Sequence, residues 1–188
     1  MNEKKKRLLE ILKDKSFRYR PDPPFKLASG KESPYYVDCK PTTNNAEGMN
    51  LVGEIIFDMI KDLDVTALGG LTMGADPIAH ATSMISFQKG KPIHSFCVRK
   101  KPKDHGTAKV HRVEGDIHPG DKVIVIEDVI TTGGSTMQAL DAAEAFGLNI
   151  IKVVALLDRE EGGRQNLEKR VAAVETLYTL SQFSQDIT

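Results

Sequence analysis

The chain has 188 residues, and its 26 lysines and arginines balance its 26 aspartates and glutamates, so the formal net charge is zero. This length fits a single domain over residues 1–188 with a sizeable hydrophobic core. The balanced charge excludes a general attraction to nucleic acid or to an anionic membrane, so neither is an expected partner. No apolar run approaches the roughly 20 residues that are needed to span a bilayer.

Cysteine usage and the N-terminus indicate the compartment. Cys39 and Cys97 are far apart, and neither belongs to a Cys-x-x-Cys pair. This is typical of reduced, structural cysteines in a cytoplasmic protein. Glu10 and Lys13 interrupt the apolar residues of the N-terminus, unlike a secretory signal. We therefore expect a cytoplasmic location.

The N-terminal part of the chain combines one helix with a proline-rich loop. Residues 1–15 carry leucines and an isoleucine among charged residues at helical spacing, which predicts an amphipathic helix. Four prolines interrupt residues 17–38, so this segment is expected to be a loop that ends in a short strand around Tyr35 and Tyr36. An aromatic pair of this kind is more often core packing than a ligand contact. We expect residues 1–40 to form a small hood.

Strand and helix patterns follow the hood. Apolar residues recur every three or four positions over residues 47–63, which predicts a helix. Residues 65–68 form a short strand that runs into a glycine-rich loop, a candidate nest for an anion. Asp76 is expected to cap the next helix, with Pro77 at its first position. Residues 93–98 are predicted to be the following strand.

A basic segment begins directly after that strand. Five of the seven residues from Arg99 to His105 are basic, and the chain stays polar to about Asp121. Because no core pattern is present, a solvated charged loop is the simplest interpretation. A connection this long in a compact domain is, however, often a functional lid, and its cations lie between two loops suited to anions. We therefore predict a mobile basic loop over roughly 99–115.

The next stretch has the pattern of a buried strand followed by a ligand-binding loop. Val123–Ile126 is an unbroken apolar run, which predicts a strand buried on both faces. Glu127 and Asp128 follow it, suited to accept hydrogen bonds from sugar hydroxyls. A helix is predicted over residues 135–146, and the loop before it offers amides and hydroxyls to a phosphate monoester. The residues that contribute these groups are Thr131, Thr132, Gly133, Gly134, Ser135 and Thr136.

The C-terminal part adds another strand and helix. Gly147 has the position of a C-cap, and residues 150–157 are a further buried strand. Residues 164–172 are predicted to be helical and residues 173–180 to be an edge strand, while the polar tail after Gln182 is expected to fray. Alternating strands and helices predict an α/β fold with a mostly parallel central sheet.

Four segments together resemble a known enzyme family. The stretch from Lys122 to Thr136 resembles the signature of phosphoribosyltransferases that use 5-phosphoribosyl 1-diphosphate. Phe25–Asp38, the basic segment Arg99–Gly106 and Asp158–Gly163 add to it in the order of the orotate phosphoribosyltransferases, over nearly the whole chain. The resemblance implies the type I phosphoribosyltransferase fold, a mostly parallel sheet flanked by helices with a small N-terminal hood.

The resemblance also implies a reaction. Orotate and phosphoribosyl diphosphate would give orotidine 5′-monophosphate and pyrophosphate, a step of de novo pyrimidine (UMP) synthesis. Mg²⁺ is the implied cofactor, held mainly through the diphosphate of the substrate, since no histidine shows metal-ligand spacing. Members of the family generally are homodimers in which the basic loop of one subunit reaches the site of its neighbour.

Matching positions carry the family's roles onto this chain. The residues implied in catalysis are Lys103, His105, Glu127 and Asp128. Those implied in binding phosphoribosyl diphosphate are Lys26, Arg99, Lys100, Lys103, His105, Glu127, Asp128, Val129, Ile130, Thr131, Thr132, Gly133, Gly134 and Ser135. Those implied in binding orotate are Lys26, Tyr35, Tyr36, Thr131 and Arg159.

Two physical arguments agree with these roles. Breaking the bond between ribose C1 and the diphosphate leaves positive charge on the sugar and negative charge on the leaving group. Carboxylates near the sugar and lysines near the diphosphate therefore gain interaction in the transition state. Orotate is an anion, and Arg159 can fork onto its carboxylate, whereas a purine pocket would not need that charge.

One residue departs from the family pattern, and two other functions stay open. Many orotate enzymes have a lysine where this chain has Met73, so the loop Leu71–Asp76 lacks one charge near the pyrophosphate. The first alternative function is a phosphoribosyltransferase for another base, such as a purine. The second is a non-catalytic regulator that binds phosphoribosyl diphosphate, against which the intact basic loop weighs.

Overall fold

A computed structural model describes residues 2–26, 30, 32–101 and 112–185. These residues form seven helices and ten strands. In chain order they are α1 (Glu3–Lys15), β1 (Phe17–Tyr19), β2 (Phe25–Lys26), β3 (Glu32–Ser33), β4 (Tyr35–Val37), α2 (Lys40–Thr43), α3 (Ala46–Ile60), β5 (Ala67–Leu71), α4 (Asp76–Gln88), β6 (His94–Val98), β7 (Val113–Gly115), β8 (Lys122–Ile130), α5 (Gly134–Phe146), β9 (Asn149–Asp158), α6 (Gly163–Glu168), β10 (Val174–Thr179) and α7 (Ser181–Ser184).

Six strands form the central sheet in the spatial order β10, β9, β8, β5, β6, β7. The first five run parallel to their neighbours, and β7 pairs antiparallel with β6. Along β8, Ile124 and Ile126 pack in a core shared with α1, α3 and α4. Val123 and Val125 pack on the opposite face, in a core shared with α5. Helices thus cover both faces of the sheet, and the predicted α/β fold is confirmed.

Strand β8 is longer than the sequence predicts. It continues past Ile126 to Ile130, so Glu127 and Asp128 lie within the strand and not after it. Its pairing with β9 extends to the register pair Ile130↔Asp158. The apolar pattern misses this extension because two carboxylates interrupt it. Both acidic side chains therefore project from an ordered strand.

The Gly69–Gly70 pair also belongs to a strand, although the sequence suggests a loop. Both residues lie in β5, which runs between β8 and β6. A Cβ at Gly69 would overlap the backbone oxygen of Phe96, and a Cβ at Gly70 would overlap that of Ile126. The neighbouring backbones approach too closely here for any larger residue, so the glycines are required by sheet packing.

Three further element boundaries differ from the predictions. Asp76 is the first residue of α4 and not its N-cap, and its carboxylate accepts a 2.6 Å hydrogen bond from Thr72 Oγ1. The predicted loop over roughly 99–115 contains a strand at its end, since Val113–Gly115 forms β7. This strand is stabilised by pairing with β6 and by burial of Val113, and a single buried valine gives no periodic pattern in the sequence. Helix α6 ends at Glu168, earlier than predicted.

The hood is held by short antiparallel pairs and aromatic contacts. Strand β1 pairs with β4 in the register Phe17↔Val37, and β2 pairs with β3. The Phe17 ring stacks on Tyr35 with centroids 5.8 Å apart and lies 5.5 Å from the ring of Phe183. Phe183 is buried in α7, so the prediction that the tail frays after Gln182 is wrong at this residue. One aromatic side chain among polar ones gives no periodic signal.

Both cysteines are free, as the sequence predicts. Cys39 is fully buried, and this burial raises the pKa of its thiol well above the ordinary value, which disfavours the reactive thiolate.

In the described ranges, none of the helices combines the length and the apolar character that crossing a membrane requires.

Candidate active site

The carboxyl ends of β5 and β8 border a cavity of about 300 Å³. In an open parallel sheet, this edge is where ligands bind. The first residue of α2 and the first turn of α5 contribute to the same cavity. Its lining residues are Lys40, Leu71, Thr72, Met73, Gly74, Lys100, Glu127, Asp128 and Ser135.

Glu127 is almost fully buried at the wall of this cavity. Its Oε2 accepts 2.8 Å hydrogen bonds from Ser135 Oγ and Thr136 Oγ1. Burial raises the pKa of Glu127 above its ordinary value and the negative charge of Asp128 raises it further, while the two hydroxyl donors oppose the shift. The two hydroxyls tie β8 to α5, so the side chain of Thr136 serves the carboxylate and not a phosphate.

Asp128 is half-buried beside Glu127. Its Oδ1 accepts a 2.9 Å hydrogen bond from the amide of Val129. The loop between β5 and α4 passes directly in front of it, because a Cβ at Gly74 would lie 2.5 Å from the carboxylate of Asp128. Glycine at this position therefore lets the loop backbone reach the acidic pair.

The loop between β8 and α5 leaves the N-terminus of a helix uncapped. Gly133 has a φ of 87°, in the left-handed region that favours glycine, and α5 begins at the next residue. No side chain of the described residues caps this end of α5, and the amides of a first helical turn have no intrahelical acceptor. Helix N-termini of this kind favour bound anions.

Neighbouring elements fix the remaining residues of this loop. The carbonyl of Thr131 accepts a 3.0 Å hydrogen bond from the amide of Gly163, and that of Thr132 accepts one of 3.3 Å from Asn166 Nδ2. The side chains of Val129 and Ile130 pack against the two cores. Only the backbones of those two residues are therefore available to a ligand.

Arg159 lies at the end of β9 beneath the hood and is almost fully buried. Its Nη2 donates hydrogen bonds of 3.3 Å to Ser33 Oγ and 3.4 Å to the carbonyl of Tyr35. Its Nε lies 2.7 Å from Glu161 Oε1. Among the described residues, neither that Nε nor Glu161 Oε2 has a partner in hydrogen-bond geometry. Glu161 thus offsets the buried charge of the guanidinium.

The predicted aromatic pair faces in two directions. The Tyr35 ring packs on Phe17 and lies 5.4 Å from the ring of Tyr19, so it is core packing. Tyr36 is exposed, with its ring 5.4 Å from Phe25. Lys26, at the end of β2, is also exposed.

The basic segment starts and ends at the β6–β7 edge. Arg99 Nη1 lies 3.1 Å from Glu114 Oε1 across these strands. Arg99 and Lys100 both line a neighbouring cavity of about 420 Å³, and Lys100 also lines the first cavity. Lys103 and His105 lie outside the described residues.

Three residues at these sites were not predicted from the sequence. Lys40 lines the main cavity, while Ser33 and Glu161 contact Arg159. Glu161 follows Arg159 by two positions, and this short spacing is the one feature of the local sequence that could have indicated their contact. Lys40 and Ser33 reach their places only through the packing of the hood and α2.

We predict that Glu127 makes stability depend on pH. The raised pKa means that the folded chain holds this proton more tightly than the unfolded chain, whose value is 4.5. This stabilisation is complete below pH 4.5 and is lost as the pH rises through the folded-state pKa. Between about pH 5 and pH 8, the free energy of unfolding of the wild type, measured in urea, should therefore fall by on the order of 1 kcal/mol or more relative to that of Glu127→Gln.

Glu47→Gln is the control for this titration. The hydrogen bond from Arg7 lowers the pKa of Glu47, so Glu47 is ionised in both the folded and the unfolded chain above about pH 5. The difference in free energy of unfolding between the wild type and Glu47→Gln should therefore stay constant between about pH 5 and pH 8. A difference between wild type and Glu127→Gln that does not change with pH would contradict the prediction.

Comparison with known proteins identifies the family. The orotate phosphoribosyltransferase of Aquifex aeolicus (strain VF5) is 44% identical over 178 residues, which cover 95% of this chain and 96% of the relative. The orotate phosphoribosyltransferase of Methanocaldococcus jannaschii is 42% identical over 181 residues, covering 96% of this chain and 97% of the relative. A search against models of protein families finds no match.

Solved structures agree with these relatives. The crystal structure of Mycobacterium tuberculosis H37Rv orotate phosphoribosyltransferase in complex with 5-phospho-α-D-ribosyl 1-diphosphate is 30% identical with a TM-score of 0.78, covering 96% of this chain and 99% of that one. An adenine phosphoribosyltransferase from Leishmania tarentolae, 18% identical with a TM-score of 0.61, covers 93% of this chain and 88% of its own and shares the fold alone. The architecture is the type I phosphoribosyltransferase fold, and the chain belongs to the orotate phosphoribosyltransferase family.

Proposed function

We propose that this chain transfers the 5-phosphoribosyl group from phosphoribosyl diphosphate to orotate, giving orotidine 5′-monophosphate and pyrophosphate in pyrimidine synthesis. The observation that carries the proposal is the cavity at the ends of β5 and β8, where two carboxylates lie next to an uncapped helix N-terminus. Membership of the family supports the same substrates, since the relatives are named for this activity.

The groups around the cavity suit different parts of the donor. The free amides at the start of α5 suit the 5′-phosphate. Glu127 and Asp128 lie one step earlier along β8, where they would accept hydrogen bonds from the ribose hydroxyls. Lys100 lines the same cavity and suits the diphosphate. The donor would thus be held at its phosphate, its sugar and its leaving group.

Charge separation during the reaction favours this arrangement. As the bond between ribose C1 and the diphosphate breaks, the carboxylates interact more strongly with the sugar and the cations with the leaving group. We infer that Lys103 and His105 add to these cations, and that His105 donates a proton or hydrogen bond to the leaving oxygen. Closure of the basic loop would exclude water, which would otherwise attack the cationic ribose.

Arg159 supports orotate as the acceptor base. An anionic base in a buried pocket needs a buried cation, and a guanidinium can bind a carboxylate through two parallel hydrogen bonds. A purine has no carboxylate to offer to this guanidinium. We infer that the hood strands complete the pocket, with Lys26, Tyr36 and the backbone of Tyr35 as its further orotate contacts, since the Tyr35 ring is packed against Phe17.

We infer that Mg²⁺ accompanies the diphosphate. Carboxylates such as Glu127 and Asp128 are the hard oxygen ligands that Mg²⁺ prefers. The described residues contain no group of three or more histidine, cysteine, aspartate or glutamate side chains that would hold a metal ion, so the ion would be held mainly by oxygens of the donor. Bound there, it would offset negative charge that develops on the diphosphate.

We further propose that the protein acts as a cytoplasmic homodimer with a shared basic loop. The free thiols of Cys39 and Cys97 agree with a reducing compartment. On α4, Met84 and Phe87 are 53% and 74% exposed, and large apolar side chains of this kind are suited to contact with a second subunit.

The choice of base is the decisive test of the proposed function. With Mg²⁺ and phosphoribosyl diphosphate, the chain should consume orotate and release pyrophosphate, and should not consume adenine, hypoxanthine or uracil. Preference for a purine would favour the first alternative function. Binding of phosphoribosyl diphosphate without turnover of any base would favour the non-catalytic regulator.

We predict that Arg159→Met raises the KM for orotate by about 10- to 100-fold, since a charged hydrogen-bond partner is lost. The KM for phosphoribosyl diphosphate should change much less. Arg164→Met is the control, because it removes an exposed arginine whose Nε lies 2.9 Å from Glu168 Oε1. Equal changes in both KM values, together with a lowered Tm, would indicate that Arg159 only supports the fold.

Mixed dimers test the sharing of the basic loop. Lys103→Glu chains and Asp128→Ala chains should each be inactive alone, because each lacks one part of the proposed site. When the two are mixed, one site of a heterodimer would combine an intact loop with an intact carboxylate, so activity should return. Mixtures that recover no activity would refute loop sharing.

A further inference from the structure

The main cavity has two carboxylates but few cations. Glu127 and Asp128 both line it, yet the loop between β5 and α4 contributes Met73, which is 68% exposed, where a charge would be accessible. Among the described residues that line the cavity, the cations are Lys40 and Lys100. Lys100 belongs to the basic segment, whereas Lys40 begins α2 in a different part of the chain. A diphosphate entering this cavity would be repelled by the negative charge of Asp128 unless such cations offset it.

Lys40 is held in position by its neighbours. Its Nζ lies 2.7 Å from Asp38 Oδ1, and its backbone amide donates a 3.0 Å hydrogen bond to the same oxygen. The residue between them, Cys39, places its Sγ 3.9 Å from the carbonyl of Asp128. The first turn of α2 is thereby attached to β8 beside the acidic pair. The ammonium is preorganised, but with 48% of the side chain exposed it remains accessible to a ligand.

Lys40 also lies beside the loop that lacks a cation. A second cavity of about 320 Å³ is lined by Lys40 and Met73 together with Asp76 and His80. Lys40 and Met73 therefore lie at the boundary between the two cavities. The hydrogen bond to Asp38 raises the pKa of Lys40, and the charge of Asp128 adds to the shift, so the side chain stays protonated at neutral pH.

We propose that Lys40 binds the diphosphate of the phosphoribosyl donor and supplies the positive charge that the loop between β5 and α4 lacks. The proposal rests on the proposed function and deepens it. The ammonium would contact a diphosphate oxygen while Asp38 retains it in place. As the diphosphate departs and gains charge, this contact strengthens, so Lys40 would contribute to the transition state as well as to binding.

An ordinary surface ion pair is the competing interpretation of Lys40 and Asp38. The chain contains such a pair for comparison, because Lys122 Nζ lies 2.6 Å from Asp64 Oδ2 with 49% of the lysine side chain exposed. Lys122 is the first residue of β8, at the opposite end of the strand from the cavity. Lys122→Met therefore matches Lys40→Met in exposure and pairing, but not in location.

The test measures the affinity of the full-length chain for inorganic pyrophosphate with Mg²⁺, by isothermal titration. Lys40→Met should weaken this affinity by about 10- to 100-fold, since one charged partner is lost. Lys122→Met should leave the affinity unchanged, and Lys40→Arg should retain most of it. Adding Met73→Lys to Lys40→Met should restore part of the loss, because the new cation would enter the same cavity.

Kinetics separate a binding role from a structural one. Lys40→Met should raise the KM for phosphoribosyl diphosphate and leave that for orotate unchanged. Wild-type pyrophosphate affinity in Lys40→Met would overturn the proposal, as would equal losses for both substrates with a lowered Tm and no rescue by Met73→Lys. Pyrophosphate binding does not require turnover, so the two proposals can fail separately. A wild type that binds pyrophosphate but does not consume orotate would refute the proposed function, while the effect of Lys40→Met on pyrophosphate affinity would still test the role of Lys40.

Discussion

The two adjacent carboxylates at the carboxyl end of β8 place the strongest constraint on the structure around them. Like charges this close, one of them almost fully buried, oppose each other's ionisation. The fold offsets this cost with hydroxyl donors from Ser135 and Thr136 and with a backbone amide. The loop between β5 and α4 also lies against Asp128, and a side chain at Gly74 would prevent this close approach. The cavity that results has an acidic wall, and Lys40, Lys100 and the amides of α5 border it, which suits a ligand with charges of both signs.

The elements that form this site are those that local sequence signals predict best. The apolar run of β8 forms the centre of the sheet, and α5 begins within one residue of the predicted start. Gly147, predicted as a C-cap, occupies that position with a φ of 94°. Each of these features depends on neighbours along the chain, such as a run of β-branched residues or a glycine after a helix. The resemblance to a known family drew on the same local stretches.

Features that depend on distant contacts were not predictable in this way. Gly69 and Gly70 read as a loop, since nothing local shows how closely the adjacent strands approach. Arg159 contacts Ser33, which is 126 positions away, and this contact connects the hood to the end of β9. Lys40 likewise enters the cavity through tertiary packing. Composition and periodicity describe individual elements, but these contacts arise only when the hood, α2 and the sheet assemble.

The antiparallel strand β7 has a consequence for the basic segment. The amide of Arg99 donates a 2.7 Å hydrogen bond to the carbonyl of Arg112, and Arg112 Nε donates one of the same length to the carbonyl of Arg99. Arg99 and Arg112, which bracket the basic segment, are therefore held together at one point on the sheet edge. A chain fixed in this way extends at most half its contour, roughly 20 Å at about 3.5 Å per residue. Whatever the lysines of this connection serve must therefore lie within that backbone reach, extended by the length of a lysine side chain, from this point on the sheet edge.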